Sequence, residues 1–328
     1  IERWKEEGME SVEALEHMLR RDFARTAWIW PQPFPGQREI LEEDEQTQVV
    51  RDAMGNTQRW WKSRSGTQEH IAFGCDSQET WEREYKPALL KNSLRIDLED
   101  CRNRFRISRE MGRWIDFAGV EPFEAMRQLL GDEVLLMAMV AEVDWVRDMS
   151  RTYTDLILAS YEMMWEAGCE VEGVWVYGDI GYNPSPFFSP QTYRDTIRED
   201  HKRLRDWIHA RGGKFIYHTD GNVKPLIPLM IEAGFDCIQP MEAKAGMDVR
   251  ELAPKYGDVL SFFGNIDMTV AITNDADRVA EEVTSKLAAG MERRGYLYHS
   301  DHSVPPQVSW RTYQQIIRLV DEHGNYHN

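Results

Sequence analysis

The chain has few cysteines, and none of them are closely spaced. Its 328 residues include only four, which are Cys75, Cys101, Cys169 and Cys237. This spacing excludes a zinc site built from CxxC pairs and argues against a fold held together by disulfides. Isolated cysteines are typical of a reducing compartment, so we predict a cytoplasmic protein.

An excess of positive charge and long apolar segments are also missing. There are 39 lysines and arginines against 56 aspartates and glutamates, which gives a net charge of -17. Because nucleic acids and anionic membranes repel an acidic surface, we predict neither as a partner. No apolar run approaches the roughly 20 residues of a membrane-spanning helix. These absences favour a protein that acts on a small-molecule substrate, and they leave its oligomeric state open.

The N-terminus has no signal-peptide pattern, because Ile1 leads directly into charged sequence. A chain that begins with isoleucine is expected to be part of a longer gene product.

Motifs for nucleotide binding and for serine nucleophiles are absent too. The glycines form neither a GxGxxG pattern nor a Walker loop, and no GxSxG elbow occurs. Nucleotide binding and serine hydrolase chemistry therefore have no support in the sequence.

From residue 113 onward, short apolar segments alternate with longer helical patterns. The predicted strands cover 134–140, 173–177, 214–217, 235–238, 259–263 and 296–298. The predicted helices cover 147–167, 190–211, 223–233, 248–256 and 275–294. This alternation is typical of parallel βα units, and six such strands favour a closed α/β barrel of the (β/α)8 TIM type. No linker-like tract divides the chain, so we predict a single domain over 1–328.

The first 112 residues are less regular and are predicted to form a cap together with the first barrel units. Apolar spacing predicts a helix up to about residue 25, followed by a proline-rich connector at 28–35. Segments 46–54, 59–62 and 69–74 resemble strands of a hairpin, and 98–112 resembles a charged amphipathic helix. We expect this hairpin to cover one end of the protein.

Polar residues follow most of the predicted barrel strands. They are Asp144, Asp179, His218 with Asp220, Glu242, Asn265 with Asp267, and residues 299–302. Since the carboxyl ends of barrel strands form the active face, we expect these side chains to meet there.

The segment from Gly213 to Asn222 is predicted to be a strand that ends in a functional site. His218 and Asp220 are two residues apart, so they point to the same side of an extended strand. With Glu242 and His302 they form a predicted site for a divalent metal such as zinc, iron or manganese. Simpler roles are also open: a hydrogen-bonded His218, a helix-capping Asp220, a Glu242 paired with Lys244, and a His302 bonded within its loop.

Asp179 lies between two glycines directly after a predicted strand. It is predicted to contact substrate or to move a proton, and His218 is the second predicted catalytic residue. Tyr177, Asp179, Tyr182, Asn265 and Asp267 are the predicted substrate-binding residues. The alternative for Asp179 is that it stabilises its own loop.

Several segments resemble the uroporphyrinogen decarboxylase superfamily over roughly residues 75 to 325. They are Gly178-Asp-Ile-Gly with Ser189-Pro-Gln-Thr-Tyr193, His218-Thr-Asp-Gly-Asn222, Gln239-Pro-Met-Glu242, Phe263-Gly-Asn-Ile-Asp267 and Asp301-His-Ser-Val-Pro-Pro306. This superfamily also contains corrinoid-dependent methyltransferases, and the resemblance implies the same barrel fold.

The departures from the family pattern favour the methyltransferase branch. The basic Arg-Gln-Ala-Gly-Arg-Tyr segment of true uroporphyrinogen decarboxylases is missing here. In the methyltransferases, zinc is held by His-x-Cys and a distant cysteine. His218 matches that histidine, Asp220 stands in place of the first cysteine, and His302 lies near the position of the second. Glu242 resembles the additional glutamate ligand of the related methionine synthases.

The resemblance implies a metal-dependent methyltransferase. Oxygen and nitrogen ligands leave the metal harder than thiolates would. Such a metal is better matched to an oxygen-bound methyl group than to a thiol, so an O-demethylase is the favoured form. A partner protein would carry the corrinoid, and the metal is expected to be zinc. The alternatives are a decarboxylase that needs no cofactor and a barrel that binds small molecules without turnover.

Overall fold

The computed structural model describes residues 1–19, 21–63, 68–92, 95–293 and 295–326. Its main feature is a parallel sheet of seven strands in the order β1-β6-β7-β8-β9-β10-β11. These strands are β1 (Phe23–Ile29), β6 (Trp114–Val120), β7 (Gly173–Tyr177), β8 (Lys214–Thr219), β9 (Cys237–Pro240), β10 (Ser261–Phe263) and β11 (Tyr296–Leu297). The α/β barrel fold of the TIM type is thereby confirmed.

The sheet curves round an interior that contains a small apolar cluster. Ala118, Trp175, Ile216 and Cys237 come from four successive strands and form one buried cluster. Phe23 of β1 lies 5.0 Å from Phe263 of β10 between ring centroids, which brings one edge of the sheet close to the other. Alternate residues of each strand face this interior, and the residues between them face the surrounding helices.

Helices surround the sheet and supply most of the larger outer core. They are α1 (Glu2–Glu6), α2 (Val12–Met18), α3 (Gln78–Thr80), α4 (Lys86–Asn92), α5 (Leu98–Glu110), α6 (Pro122–Leu130), α7 (Asp132–Ala141), α8 (Val143–Glu166), α9 (Pro190–Thr196), α10 (Arg198–His209), α11 (Ile227–Glu232), α12 (Val249–Tyr256), α13 (Met268–Ala271), α14 (Ala276–Met291) and α15 (Trp310–His323). A π-helical turn (Trp81–Tyr85) joins α3 to α4. Among the described residues, no helix is long and apolar enough to cross a membrane.

A second, antiparallel sheet lies between β1 and α3 in the chain. Its strands are β2 (Glu39–Glu43), β3 (Thr47–Arg51), β4 (Thr57–Trp61) and β5 (Glu69–Ala72). The predicted hairpin strands are thus present, with β2 as an additional partner. Asn56 ties the sheet to the barrel by donating a hydrogen bond of 2.7 Å to the Gln128 carbonyl in α6.

The predicted strand at 134–140 is wrong, because these residues form helix α7. Leu135, Ala138 and Met139 are buried, whereas Met137 and Val140 are exposed, which is the burial pattern of a helix. Leucine, methionine and alanine are also strong helix formers. Asp144 therefore does not follow a barrel strand. It lies in the first turn of α8, with its side chain 97% exposed.

The first two barrel strands were not predicted. β1 lies within the segment assigned to an N-terminal helix and a connector, and the helix nearest to it ends at Met18. β6 contains Asp116 and Gly119, which interrupt its apolar run. Asp116 faces the barrel interior instead of the apolar outer layer, so its polarity concealed a fully buried strand.

Candidate active site

The carboxyl ends of β7, β8 and β9 bring the central predicted residues together. In the parallel register, Tyr177 pairs with His218 and His218 pairs with Gln239. Parallel pairing places residues at the same level of the barrel side by side, so all three side chains face the interior. The two predicted strands that end near Tyr177 and His218 are therefore confirmed.

Asp179 lies at the centre of the hydrogen bonds that join the first two of these loops. Its carboxylate accepts hydrogen bonds from the Tyr177 hydroxyl (2.8 Å) and from the Asp220 backbone N–H (2.9 Å). One carboxylate oxygen lies 3.8 Å from Nε2 of His218. Asp179 therefore stabilises its loop, as the simpler interpretation expected, and also contacts the other polar groups of the site.

His218 is held in an aromatic environment. Its ring centroid lies 5.0 Å from that of Trp175 and 5.1 Å from that of Tyr177, and Nδ1 contacts the side-chain oxygen of Gln239. Burial lowers the pKa of His218, and the neighbouring carboxylate of Asp179 opposes this effect. A neutral imidazole with Nδ1 bonded to Gln239 leaves Nε2 as a lone-pair donor towards Asp179. This is the form that a metal requires.

Asp220 completes a group of three possible metal ligands. One ligand atom each from Asp179, His218 and Asp220 lies within 4.8 Å of the others. Burial raises the pKa of Asp220 to about 6, and repulsion by Asp179 and Glu242 adds to the effect. Its buried Oδ1 has no hydrogen-bond partner among the described residues. The next helical turn begins at Lys224 with Val223 as its N-cap, so Asp220 does not cap it.

Glu242 supports the Asp220 loop from the next strand. It accepts a 2.7 Å hydrogen bond from the Gly221 N–H, and its other oxygen lies 3.0 Å from Nζ of Lys244. Gly221 has a φ of +77°, a left-handed conformation that a residue with a Cβ adopts only with strain. Glu242 thus forms the expected pair with Lys244 while remaining beside Asp220.

The other predicted residues lie further from this group. His302 is exposed and lines a cavity of about 860 Å³ that extends between β1 and α15. Tyr182 is 61% exposed. The Asn265 side chain bonds the backbone of Met241, Met247 and Val249, and Asp267 caps α13 through the Thr269 N–H. Their roles in substrate or metal binding stay predictions.

A buried acidic residue at the end of β6 was missed by the sequence analysis. Glu121 is fully buried and bonds Nε2 of His201 at 2.7 Å, while Nδ1 of His201 contacts the Tyr193 hydroxyl at 3.0 Å. A Cβ on Gly178 would lie only 2.2 Å from the Glu121 carboxylate, so this group packs directly beneath the Asp179 loop. Its place before Pro122, at a helix start, was the available signal.

Glu124 and Arg127 form a second missed pair beside the Asp179 loop. The Nε of Arg127 lies 3.0 Å from the Glu124 carboxylate, and Gln128 donates a hydrogen bond of 2.6 Å to the same group. Burial raises the pKa of Glu124 to about 7, although the Arg127 charge opposes the shift. The charge of Asp179 also acts on both residues. They therefore belong to the electrostatic surroundings of the site.

Three of the carboxyl groups with a raised pKa predict that metal-free protein loses stability as the pH rises. Burial is the main cause in Asp116 and Glu124, both about 7, and in Asp220, about 6. A folded-state pKa above the unfolded value means that the native state binds more protons, so this stability is complete at low pH and is lost as the pH passes the folded pKa. Urea unfolding with a chelator, at about pH 5 and about pH 8, is expected to give a lower free energy of unfolding at the higher pH.

Glu124→Gln provides the control, because an amide cannot titrate. The variant is expected to show a weaker dependence on pH over the same interval. Equal stability at the two pH values would contradict the assignment of these buried carboxyls as protonated at lower pH.

The fold and site define a TIM-barrel protein with an imidazole and several carboxylates on the active face. The chain belongs to the uroporphyrinogen decarboxylase (URO-D) family, whose model matches residues 117–323. The family predicted from the sequence is thus confirmed.

A solved methyltransferase structure resembles the chain in fold. A methyltransferase from Methanosarcina mazei superposes with a TM-score of 0.65 at 15% identity, over 95% of this chain and 84% of that chain. A structure proposed to be an alpha-L-fucosidase from Bacteroides thetaiotaomicron VPI-5482 matches with a TM-score of 0.25 at 12% identity, over 77% of this chain and 89% of that chain. No curated protein matches the chain.

Proposed function

We propose that the protein is a metal-dependent methyltransferase that moves a methyl group between a small substrate and a corrinoid held by a partner protein. The observation that carries this proposal is the convergence of Asp179, His218 and Asp220 at the carboxyl ends of two neighbouring strands. The fold likeness to the Methanosarcina mazei methyltransferase is compatible with it. Removal of a methyl group from an oxygen, as in an O-demethylase, is the favoured form.

The residues present fit a divalent cation. The unpartnered Oδ1 of Asp220 and the mutual repulsion of the nearby carboxylates describe a site that a positive charge would stabilise. A donor set of one imidazole and carboxylate oxygens suits zinc, and also iron and manganese. His218 and Asp220 would hold the metal with Asp179, and Glu242 and His302 remain the predicted additional ligands.

The protein's own residues would orient the substrate and control its protonation. A bound divalent metal would supply Lewis-acid polarisation of the substrate heteroatom. Gln239 contacts Nδ1 of His218 and so directs Nε2 into the site. The Tyr177 hydroxyl donates to Asp179 at 2.8 Å, which keeps that carboxylate facing the same point. Trp175 and Tyr177 exclude water from one side of the imidazole.

Removing the imidazole is expected to remove the metal. His218→Ala should lower metal affinity by well over tenfold, because loss of even an outer-shell partner typically costs about 10–100-fold. Elemental analysis of protein purified without chelators, then equilibrated with limiting zinc, measures this loss. The same samples should be assayed for methylation of free cob(I)alamin by a panel of methyl ethers.

His209→Ala is the matched control, because His209 also contacts a carboxylate, that of Asp236 at 2.6 Å. His209 is the last residue of α10, and Asp236 accepts a hydrogen bond from the Phe215 N–H near the amino-terminal end of β8, away from the candidate ligands. The variant should retain metal and activity. Wild-type protein that binds no metal under these conditions, or a His218→Ala variant with unchanged methyl transfer, would refute the proposal.

Membership of the URO-D family favours one second candidate, a decarboxylase that needs no cofactor. Asp179 would then stabilise a protonated intermediate. Turnover of uroporphyrinogen by protein that a chelator keeps free of metal, with no methylation of cob(I)alamin, would favour the decarboxylase over the methyltransferase.

A further inference from the structure

The barrel interior contains an arginine below the predicted active site. Arg25 lies on β1, and its guanidinium carbon is 3.9 Å from the centroid of the Trp175 ring. The ring centroid of Trp175 in turn lies 5.0 Å from that of His218. Arg25 and His218 therefore both lie against the Trp175 ring.

The protein contacts the guanidinium through the Trp175 ring and one long ion pair, without a side-chain hydrogen bond. Its nearest acidic partner is Asp116, whose Oδ1 lies 3.8 Å from Nε, too far for a hydrogen bond. The hydrogen bonds described for the chain include none from the Arg25 side chain. Its side chain is 47% exposed, although it projects from a barrel strand. A guanidinium carries five N–H donors in a planar arrangement that matches a carboxylate.

Trp175 offers a further unused donor. Only 6% of this residue is exposed, and its buried indole Nε1 has no hydrogen-bond partner among the described residues. Buried polar groups are nearly always paired, so this N–H is a donor for which the described residues supply no acceptor. Trp28 lies 5.9 Å from Trp175 between ring centroids and extends the aromatic surface upward towards Tyr177.

We propose that Arg25 and Trp175 form a subsite inside the barrel for the carboxylate of a small organic acid. The guanidinium and the indole N–H would bind the carboxylate, and the apolar body of the molecule would lie along Trp175 and Trp28. This orientation directs the other end of the substrate to His218 and Asp179. The inference deepens the proposed function, on which it rests, by making the methyl donor or acceptor a carboxylic acid.

Asp116 allows a test in which two substitutions are expected to change carboxylate binding in opposite directions. It is buried, lies opposite Arg25 in the β1–β6 register, and competes with any bound anion for the guanidinium. Arg25→Gln should therefore weaken carboxylate binding, while Asp116→Asn should strengthen it. General damage to the barrel would weaken binding in both variants.

The probes are benzoate and its neutral counterpart benzamide, titrated by calorimetry into chelated protein without a corrinoid. We expect wild-type protein to prefer benzoate, and Arg25→Gln to reduce the affinity for benzoate by about tenfold or more, as expected for a hydrogen-bonded charged group. Arg25→Lys should restore part of the affinity, because a lysine keeps the charge but not the planar donors. Trp175→Phe should weaken benzoate more than benzamide.

Arg106→Gln is the control, since Arg106 forms an exposed pair with Glu110 at 2.9 Å on α5. It should leave both affinities unchanged. A wild-type protein without preference for benzoate, or a preference that survives Arg25→Gln, would overturn the subsite. Loss of benzoate binding in Asp116→Asn would do the same. These measurements involve neither metal nor methyl transfer, so a failed methyl-transfer assay alongside a confirmed preference refutes only the proposed function.

Discussion

Replacing Asp179 with alanine is expected to lower the rate of methyl transfer by about 10²–10⁴-fold, the usual contribution of a residue that positions or moves a proton. The carboxylate accepts hydrogen bonds from the Tyr177 hydroxyl and the Asp220 N–H, and lies 3.8 Å from His218. Its loss would free the tyrosine, loosen the Asp220 loop and remove a candidate metal ligand. The measurement is the turnover number, followed on protein whose metal content has been determined.

Asp179→Asn separates the charge of this residue from its shape. An asparagine can still accept a hydrogen bond from the Asp220 N–H, but it carries no negative charge. We expect weaker metal binding and a large loss of turnover in this variant as well. Asp275→Asn is the control, because Asp275 caps α14 from an exposed position and belongs neither to the candidate ligands nor to the predicted substrate-binding residues. Wild-type turnover in Asp179→Asn would show that the carboxylate has only a structural role.

Replacing Glu121 with alanine is expected to reduce the free energy of unfolding by about 3–5 kcal/mol, because it leaves several buried hydrogen-bond donors without an acceptor. The Glu121 and His201 side chains are both fully buried and lie 2.7 Å apart. The same carboxylate accepts hydrogen bonds of 2.8 Å from the backbone N–H groups of Phe123 and Glu124. All three donors would be left without an acceptor. Urea unfolding followed by circular dichroism measures the change.

Asp97→Ala provides the comparison. Asp97 caps α5 through the Asp100 N–H at 3.0 Å, but it is exposed and has no buried partner. Its loss should cost only about 1 kcal/mol, as for an ordinary helix cap. If Glu121→Ala were as mild as Asp97→Ala, the Glu121–His201 pair would not be an important stabilising contact.

The sequence was most informative where a strand and its following loop form one continuous segment. The strand at 173–177 and the segment leading to His218 were predicted from short apolar runs, and both lie in the parallel sheet. The proximity of His218 and Asp220 also followed from sequence, because alternate residues of a strand share a face. Such inferences need only the local geometry of the chain.

Local patterns failed where burial and polarity disagreed. The apolar run in α7 resembled a strand, although only one face of that helix is buried. β1 and β6 carry Arg25 and Asp116 into the barrel interior, so neither segment resembled a buried strand. Because sequence patterns assume that polar residues face water, a polar interior conceals the elements that form it.

The sequence by itself determined the family, the alternation of strands and helices, and the polar residues that follow the strands. Only the tertiary structure decided which of them converge. Asp179 joins His218 and Asp220, Glu242 bonds the Gly221 N–H, and His302 lies on an exposed loop. The reason is physical: contacts between residues far apart in the chain depend on strand register and loop packing, which no local pattern encodes. Arg25 and Trp175 meet for the same reason, across 150 residues of sequence.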